Sequence, residues 1–479
     1  MSRIYHHVLV LASTLLLTSC AWFPEPTERA KTIAMPAMNK TLASARANLP
    51  VSDRWPRQAW WEIFGSPDLN DLIETAVADN PDLKGVMARL RQSQSLVDEQ
   101  AAELYPTVEA NVSFSAQRFS ANSTQAKLAG EHFRQLLLNP FVLRYHLDLW
   151  GRDKAALEAA IGKAMAKETE LADARLLLSV AVARGYFDLA ASTEKQRIAE
   201  QLVACYQRLM TLIQVRVDNG LATPAPLLRM QLKLNEARQQ LTAVGAEIER
   251  QHNQLAALAG KGPDWGRKLV AGLTPLPERL PLPEQLPLHL LAHRPDVIAT
   301  RLRVQAAAQE IEVARTSFYP DVNLIAFSGL HSVSISDLLL EGSSLAYAVG
   351  PTLEFPIFEG GRLRAQLNYQ QAGYDAAVEH YNSQLLKAVQ EVADALTLWR
   401  DLDGRLQEQR EMVAAANESR RLAESLWRTG LSDLRKPFQA RAVEYQRRLD
   451  LAQLEGDYFK AATSLIKALG GGYARTDGL

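Results

Sequence analysis

His293-Arg294-Pro295-Asp296 opens a stretch that runs to Gly329 and occurs twice in the chain. A helical segment follows, Phe318-Tyr319-Pro320 ends it, and residues 321–328 then alternate between apolar and polar side chains, as a strand does. The earlier copy begins at Asn80-Pro81-Asp82 and passes through Leu104-Tyr105-Pro106 into a similar strand. The two copies of each proline motif lie 214 positions apart. An ungapped offset of that length predicts one unit built twice.

The duplicated unit predicts an organisation for almost the whole chain of 479 residues. Each copy gives a helix, a strand, a loop, a second strand, a very long helix, a tight break and a last long helix. We predict a signal peptide at 1–19, an N-terminal tether or extended wrap at 20–52, a first repeat at 53–260, a proline-rich linker at 261–287, a second repeat at 288–471 and a tail at 472–479.

Composition narrows the class of protein. Aromatic residues make up 7% of the chain, and alanine, leucine, glutamine, glutamate and arginine dominate, which is typical of long packed helices. The 53 basic and 54 acidic residues nearly cancel, so no overall charge attracts nucleic acid. Two cysteines, Cys20 and Cys205, lie in such different contexts that we predict no disulfide and no metal site.

The N-terminus has the pattern of an export signal. Arg3 precedes an apolar run at 8–17 that is too short to cross a membrane as a helix. The run ends in Leu17-Thr18-Ser19-Cys20, which resembles the bacterial lipobox. That resemblance implies a diacylglycerol and an N-acyl chain on Cys20, which hold the protein at a membrane. Ala21 favours the outer membrane, again by resemblance; an unlipidated signal with an incidental cysteine is the alternative.

Four predicted strands carry the membrane hypothesis. In 107–117 and 141–149 apolar and polar residues alternate, and 321–328 and 345–355 repeat the pattern less regularly. Such alternation over about 9–11 residues is typical of a transmembrane barrel strand, although a half-buried soluble sheet alternates too. Four strands cannot close a barrel and an open edge is not tolerated in lipid, so we predict that several chains share one barrel.

Two long helices follow the strand pairs. Helical periodicity without proline runs from Arg152 to about Val217 and from Arg362 to about Arg428. A helix of about 65 residues reaches about 100 Å, so each must pack as a coiled coil against neighbours. Glycines Gly220 and Gly430 end them, and a return helix follows each. The predicted class is thus an α+β membrane protein with an internal two-fold repeat and a barrel of antiparallel helical hairpins.

Several motifs in this order resemble the TolC-like outer-membrane efflux proteins, in the lipoprotein branch of OprM, NodT and MdtP/MdtQ type. The motifs are the lipobox, Trp60-Trp61, residues 147–152, Arg294-Pro295-Asp296, Phe318-Tyr319-Pro320, residues 356–362 and 469–473. The resemblance implies a homotrimer with a twelve-stranded barrel in outer-membrane lipid and a periplasmic helical tunnel. It also implies a periplasmic adaptor and an inner-membrane pump as partners. Such a channel passes small molecules such as drugs and performs no chemistry.

The resemblance further implies a gate at the hairpin tips, where we select Asp218, Gly220, Gly430, Asp433, Arg435, Lys436 and Gln439. The family often has an aspartate where this chain has Gln439, and Arg435 and Lys436 add positive charge. Our hypothesis is that Asp433 pairs with a basic neighbour in the closed state. The alternative is an exposed acid that is favoured by the helix dipole.

Other functions find little support in the sequence. His289 and His293 have the spacing of a metal pair, but no third ligand is near them in sequence. No nucleophile, base and orienting residue can be assembled by spacing, so we expect neither an enzyme nor a cofactor other than the acyl chains. The alternative function is a lipid-anchored periplasmic coiled-coil scaffold or adaptor.

Overall fold

A computed structural model describes residues 29–48, 51, 52, 54–120, 122, 130, 132–275, 280–282, 293–333 and 344–474. The predicted signal peptide and Cys20 lie outside these residues. The chain divides into two compact units. The first contains Ser93–Ala164 and Leu302–His380, and the second contains Ile33–Gln92, Met165–Arg301 and Tyr381–Leu479.

Long helices account for most of the described residues. The helices are α1 (Asn39–Asn48), α2 (Pro67–Asp79), α3 (Pro81–Ala102), α4 (Arg152–Asp218), α5 (Ala225–Leu258), α6 (Pro263–Gly266), α7 (Pro295–Thr316), α8 (Arg362–Arg428) and α9 (Arg435–Ala468). The strands are β1 (Val51–Ser52), β2 (Thr107–Arg118), β3 (His132–His146), β4 (Leu280–Pro281), β5 (Asp321–Ser332) and β6 (Leu345–Glu354).

Corresponding elements of the two halves have equal lengths. The helices α4 and α8 have 67 residues each, close to the predicted bounds, and α5 and α9 have 34 each. Likewise α3 and α7 have 22 residues each, and β2 and β5 have 12. The absence of proline inside the long segments and the glycine after each explain these bounds.

The first unit contains an antiparallel sheet with the strand order β2-β3-β5-β6, so β2 and β6 are its edges. Three strands lie close to their predicted positions, but β3 is not 141–149: it starts at His132 and ends at His146. Pro140 lies inside this strand, although proline cannot donate a ladder hydrogen bond. The strand instead continues through a β-bulge, where its pairing with both neighbours shifts between Leu138 and Phe141.

The core of the second unit is aromatic. A 3₁₀ helix at Trp60–Phe64 buries Trp60 and Phe64 in this core. Phe187 stacks on Phe459 with centroids 4.4 Å apart, and Phe64 meets Phe187 edge-on at 5.0 Å. The helices α4 and α5 form the first hairpin, and α8 and α9 form the second. A second cluster, which includes Cys205, Tyr206 and Leu209, connects the first hairpin to α9.

Two segments are more ordered than the sequence indicated. Part of the predicted tether forms α1, whose Met38, Leu42 and Ala45 enter the core of the second unit. Three apolar positions in one short helix gave too weak a pattern to recognise. The predicted extended linker contains α6 and β4, and β4 pairs in parallel with β1. Both segments are held by contacts distant in sequence.

Candidate functional site

One face of the sheet is apolar over most of its length. In an antiparallel pair, directly opposite residues project from the same face, so the register assigns each side chain. Val108 is opposite Leu143, Val112 opposite Leu138, and Leu143 in turn opposite Ala326. Continuing this across the sheet gives an apolar band, with these members: Val108, Ala110, Val112, Phe114, Ala116, Leu136, Leu138, Phe141, Leu143, Tyr145, Val322, Leu324, Ala326, Leu330, Leu345, Tyr347, Val349, Pro351 and Leu353.

The opposite face is mainly polar. Thr107 is opposite Arg144, Ser115 opposite Gln135, and Asn323 opposite both His146 and Thr352. The same face carries Glu109, Asn111, Ser113, Gln117, Asn139, His331 and Glu354, with Leu137, Val142, Ile325, Phe327, Ala346 and Ala348 as apolar exceptions. One apolar and one hydrated face is the pattern of a strand between lipid and a water-filled lumen.

Aromatic side chains mark the end of the sheet that joins the helices. Trp150 stacks on Tyr319 with centroids 5.0 Å apart, and its Nε1–H donates to the carbonyl of Pro320 at 2.8 Å. Tyr105, Phe355 and Phe358 near the same strand ends are also exposed. Tyrosine and tryptophan with one apolar and one polar end are typical of a membrane interface.

The side chain of His146 links β3, α4 and β5 at the end of the sheet that joins the helices. Its Nδ1 lies within hydrogen-bonding distance of Asp153 in α4, and its Nε2 lies 2.7 Å from Oδ1 of Asp321 in β5. The ring therefore joins the end of one strand to the start of a long helix and of another strand. Sequence reasoning missed this contact, because Asp321 is far from His146 in the sequence.

The tips of the two hairpins are built alike. Gly220 and Gly430 follow the long helices with φ of +69° and +77°, a conformation that favours glycine. The next residue then bonds back: Leu221 N–H donates to the carbonyl of Arg216 at 2.8 Å, and Leu431 N–H to that of Leu426 at 2.9 Å. These bonds end each helix in a tight turn and expose Leu221 and Leu431 at the tip.

Asp433 is the centre of the charged contacts at the tip. Its carboxylate accepts from the Arg435 backbone N–H at 2.8 Å and from the Arg435 guanidinium, with Nη2 at 2.8 Å. Nη1 of Arg216, on the first hairpin, lies 3.5 Å from the same carboxylate. The hydrogen bond from Arg435 is the main reason that the pKa of Asp433 is lowered.

The other selected tip residues are placed apart from this group. Asp218 accepts a hydrogen bond from Gln214 of its own helix at 2.7 Å. Lys436 and Gln439 are exposed, and neither side chain bonds to another residue in the described part of the chain. The structure therefore brings together Asp433, Arg435 and Arg216 but not the remaining candidates.

A second charged network near the tip was not predicted. Glu444 of α9 is buried and accepts from Arg420 Nε of α8 at 2.6 Å. Glu424 accepts from Arg420 at 3.0 Å and from Arg441 at 2.5 Å, and the bond from Arg441 is the largest cause of its lowered pKa. The network holds the two helices of the second hairpin together. Only the i, i+4 spacing of Arg420 and Glu424 was visible in the sequence.

A third charged group surrounds Arg294, in the repeated motif at 293–296. Arg294 is 3% exposed and donates to Asp296 at 2.6 Å and to Glu391 at 2.9 Å. Its Nη1 also donates to the carbonyl of Ala468, at the end of α9. Nearby Asp173 has its pKa raised to about 6, first by burial and then by the charge of Asp296.

The same junction exists in the first half. Asn80 Nδ2 donates to the carbonyl of Leu258 at the end of α5, as Arg294 does to that of Ala468. Gly260 and Gly470 lie so close to the backbone that an added Cβ would stand 2.6 Å and 2.0 Å from carbonyl oxygens of Asp79 and His293, respectively. Each return helix therefore ends against the start of its own half.

The described residues offer neither a metal site nor a reactive cysteine. Among the described residues, no three His, Cys, Asp or Glu side chains could jointly hold a metal ion. Cys205 is buried, burial raises the pKa of its thiol to about 11, and its Sγ–H donates to the carbonyl of Phe438 at 3.2 Å. A thiol with a raised pKa is a poor nucleophile, so Cys205 serves packing.

Comparison with known proteins agrees with this geometry. The family described as outer membrane efflux protein matches residues 72–261 and 286–471. The multidrug resistance outer membrane protein MdtP of Escherichia coli is 29% identical over 97% of this chain and 96% of its own length. The fusaric acid resistance protein FusA of Burkholderia cepacia is 33% identical over 76% of this chain and 69% of its own length.

Solved structures of outer-membrane proteins share the fold. The outer membrane protein VceC of Vibrio cholerae superposes with a TM-score of 0.78 at 30% identity, over 87% of this chain and all of its own. The outer-membrane channel OprN has a TM-score of 0.82 at 25% identity, over 94% of this chain and 98% of its own. This chain therefore belongs to the outer membrane efflux protein family and is an outer-membrane protein that works in efflux.

Proposed function

We propose that three copies of this chain form one efflux channel, in which four strands from each copy close a twelve-stranded barrel. The helical hairpins of the three copies then continue the barrel as a periplasmic tube. Small molecules pass through it without chemical change. The names of the relatives concern multidrug and fusaric acid resistance, so drugs and fusaric acid are the substrates to test first.

The two-faced sheet with two open edges carries this proposal. Its edge strands β2 and β6 have unpaired backbone groups, and its apolar face includes Val112, Phe114 and Val349, all more than half exposed. Unpaired backbone groups in lipid cost several kcal/mol each, so an edge must be paired with another strand. Pairing β2 of one copy with β6 of the next removes every edge and puts the apolar faces outside.

We propose that the two halves descend from one duplicated unit. The family matches the chain twice, and the two matches begin at residues 72 and 286, at the offset that separates the repeated proline motifs. The equal helix lengths and the twin contacts of Gly260 and Gly470 support this proposal. A duplicated chain lets three copies line a tube with six similar hairpins.

Anchoring and partners complete the proposed assembly. Cys20, acylated on its sulfur before signal cleavage and on its new amine afterwards, gives a lipid anchor in addition to the barrel, and its lipobox motif supports this role. Energy for export comes from an inner-membrane pump, which a periplasmic adaptor joins to the exposed hairpin tips. Leu221 and Leu431, exposed on the tip turns, are suited to such apolar contacts.

We propose Asp433, with Arg435 and Arg216, as the latch of the closed tip. Arg216 and Asp433 lie on different hairpins, so their contact resists separation of the hairpins. Gln439 puts no negative charge at the position where the family often has aspartate. The turn glycines Gly220 and Gly430 provide tight tips, while Asp218 and Lys436 remain exposed charges at the entrance.

The decisive experiment separates barrel insertion from lipid anchoring. The signal is exchanged for one without a lipobox, Cys20 is replaced by alanine, and outer-membrane vesicles are washed with alkaline carbonate. Retention of the protein in the membrane pellet is expected, because the strands themselves insert. The unmodified chain serves as the control.

Release of the Cys20→Ala protein as a soluble, helical species would overturn the barrel. It would instead favour the alternative of a lipid-anchored periplasmic scaffold. Cross-linking of the retained protein is expected to give a product of three chains.

A further inference from the structure

Basic residues interrupt the apolar face of the sheet at one end only. The register puts Arg118 directly opposite His132, and Ala116 directly opposite Arg134. Ala116 and Arg118 continue the series of every second residue that forms the apolar face of β2, so all three basic side chains project from that face. Across the described strands, Arg118 and Arg134 are the only arginine, lysine or acidic residues on that face. All three are exposed.

This basic cluster, defined as Arg118, His132 and Arg134, lies at the end of the sheet away from the helices. The helices α3 and α4 join β2 and β3 at Thr107 and His146, the opposite ends of those strands. The helix end carries the aromatic side chains Tyr105 and Trp150, and the far end carries positive charge. The apolar band between them is therefore bounded differently at its two ends.

The cluster is a property of the first strand pair and not of the fold. In the second pair, Ser332 corresponds to Arg118 at the repeat offset of 214, and Leu330 opposite Leu345 corresponds to Ala116 opposite Arg134. The sequences that connect the two strands of each pair differ in charge in the same way. Residues 118–134 contain three Arg or Lys and one Glu, whereas residues 332–345 contain two acids and no Arg or Lys.

Within the described residues, no internal partner explains the cluster. Neither arginine forms an ion pair or hydrogen bond with another side chain in the described part of the chain. An arginine on a lipid-facing surface is costly at the centre of a bilayer but tolerated near its edge, where the guanidinium reaches the headgroups. Arginine matches phosphate with paired N–H donors, so an anionic headgroup is the natural ligand.

We propose that the basic cluster binds phosphate groups of a phosphorylated lipid in the outer leaflet of the membrane. This inference rests on the proposed barrel, since only that arrangement turns the apolar face toward lipid and the far end of the sheet outward. The lipid has its acyl chains against the apolar band and its phosphate between Arg118 and Arg134. The three copies in a channel then offer three such sites, each next to a second strand pair that contains no Arg or Lys.

The test uses the full-length protein purified in mild detergent and examined by native mass spectrometry. The probes are diphosphoryl lipid A, the same lipid without phosphates, phosphatidylglycerol and inorganic phosphate. Each arginine near an anionic membrane surface strengthens binding by about fivefold, so the double variant R118Q/R134Q is expected to lose diphosphoryl lipid A by at least about tenfold. The variant R118K/R134K retains charge and is expected to recover most of that binding.

A matched control distinguishes binding at this cluster from a general effect of positive charge. Arg144 lies in β3, as Arg134 does, but on the polar face of the sheet. The variant R144Q is therefore expected to bind diphosphoryl lipid A as the unmodified protein does. The same spectra report the number of chains in each particle and thus test the barrel independently. Circular dichroism confirms that the variants remain helical.

Three results would overturn the inference while a three-chain particle persists. They are equal binding of the phosphorylated and dephosphorylated lipid, full retention by R118Q/R134Q, and binding of inorganic phosphate without lipid. The preference of the cluster for phosphatidylglycerol over lipid A would assign it to a different lipid and would also contradict the outer-leaflet site. Particles of one chain without bound lipid would instead mean that the proposed barrel itself is wrong.

Discussion

Nη1 of Arg216, on the first hairpin, lies 3.5 Å from Oδ2 of Asp433, on the second. The distance is long for a hydrogen bond, and the carboxylate is already engaged by Arg435 at 2.8 Å. Asp433 is therefore held in place by Arg435 of its own hairpin, and its carboxylate lies next to Arg216 of the other hairpin. Both side chains are about a third exposed, at 39% for Arg216 and 34% for Asp433, so water and salt weaken their attraction.

Replacing Asp433 by asparagine is expected to loosen the tip without unfolding the protein. An exposed ion pair is worth about 0.2–1 kcal/mol, so the melting temperature should change little. Opening should become easier, and large antibiotics should leak faster into cells that express the channel without its pump. Because the pKa of Asp433 is lowered, the attraction is present above the ordinary pKa of an aspartate and is lost as the pH falls through the lowered value.

The control for this experiment is Asp218→Asn. Asp218 is also an acid at the tip, but it bonds only to Gln214 of its own helix in the described structure. This variant is expected to leak no more than the unmodified protein. Equal leakage in the two variants would mean that net charge at the entrance, and not a latch at Asp433, governs opening.

Removing the guanidinium of Arg294 is expected to destabilise the second unit severely. In Arg294→Met, the carboxylates of Asp296 and Glu391 lose their buried partner and the carbonyl of Ala468 loses its donor. Breaking a buried pair on one side costs about 3–5 kcal/mol. Urea unfolding in detergent, followed by circular dichroism, measures this loss.

An exposed arginine gives the matched control. Arg315 pairs with Glu312 one helical turn away and is more than half exposed. Arg315→Met should cost about 0.5 kcal/mol or less. If the two variants unfolded at the same urea concentration, Arg294 could not be a structural clamp.

Local signals in the sequence were sufficient for the long elements. Uninterrupted periodicity defines α4 and α8, and Gly220 and Gly430 mark their ends because a left-handed residue is required there. The apolar and polar alternation found three strands within a few residues. These features are determined by residues that are neighbours in the sequence, so they can be predicted from one sequence.

Contacts between distant residues could not be predicted. The bulge in β3 depends on Gly329 of another strand, α1 depends on a core assembled from several helices, and Asp433 meets Arg216 across 217 positions. The sequence indicated Asp433 as a candidate through its place after a turn glycine. It gave no sign of Arg216, because nothing local distinguishes that arginine from others on α4.

Stability of the second unit is expected to depend on Asp173. Its pKa is raised to about 6, first by burial and next by Asp296, with Glu391 acting in the same direction and Arg294 and Lys467 in the opposite one. The folded state therefore holds a proton that the unfolded state releases, so stability is greatest at low pH and falls as the pH rises from about 4 to 6. The total change is about 2–3 kcal/mol.

Asp173→Asn keeps the uncharged form at every pH. It should match the unmodified protein near pH 4 and exceed its stability at neutral pH, and the difference should develop between these values. Urea unfolding at a series of pH values measures it. A difference that did not vary with pH would show that the proton on Asp173 is not responsible.

Two turn glycines with similar backbone angles are expected to respond differently to alanine. Gly430 and Gly470 have φ of +77° and +88°, so each variant pays about 1–2 kcal/mol for a left-handed alanine. At Gly430 an added Cβ meets no atom within 4 Å, whereas at Gly470 it would stand 2.0 Å from the carbonyl oxygen of His293. Gly470→Ala must therefore also separate α9 from the start of the second half, and its melting temperature should fall much further. Equal falls would mean that this junction adapts freely.

The bulge in the sheet gives the sharpest test of the strand arrangement. Gly329 of β5 faces the bulge in β3, and a Cβ there would lie 2.5 Å from the carbonyl oxygen of Leu138 and 2.9 Å from Cα of Asn139. These are backbone atoms of a paired strand, so Gly329→Ala has to break the pairing of β3 with β5. Gly350 of β6, in the same sheet, has open space around it and serves as the control.

Gly329→Ala is expected to lower the amount of carbonate-resistant protein in the outer membrane severalfold, while Gly350→Ala leaves it unchanged. Normal insertion of both variants would contradict the register of β3, and with it the assignment of side chains to the two faces of the sheet.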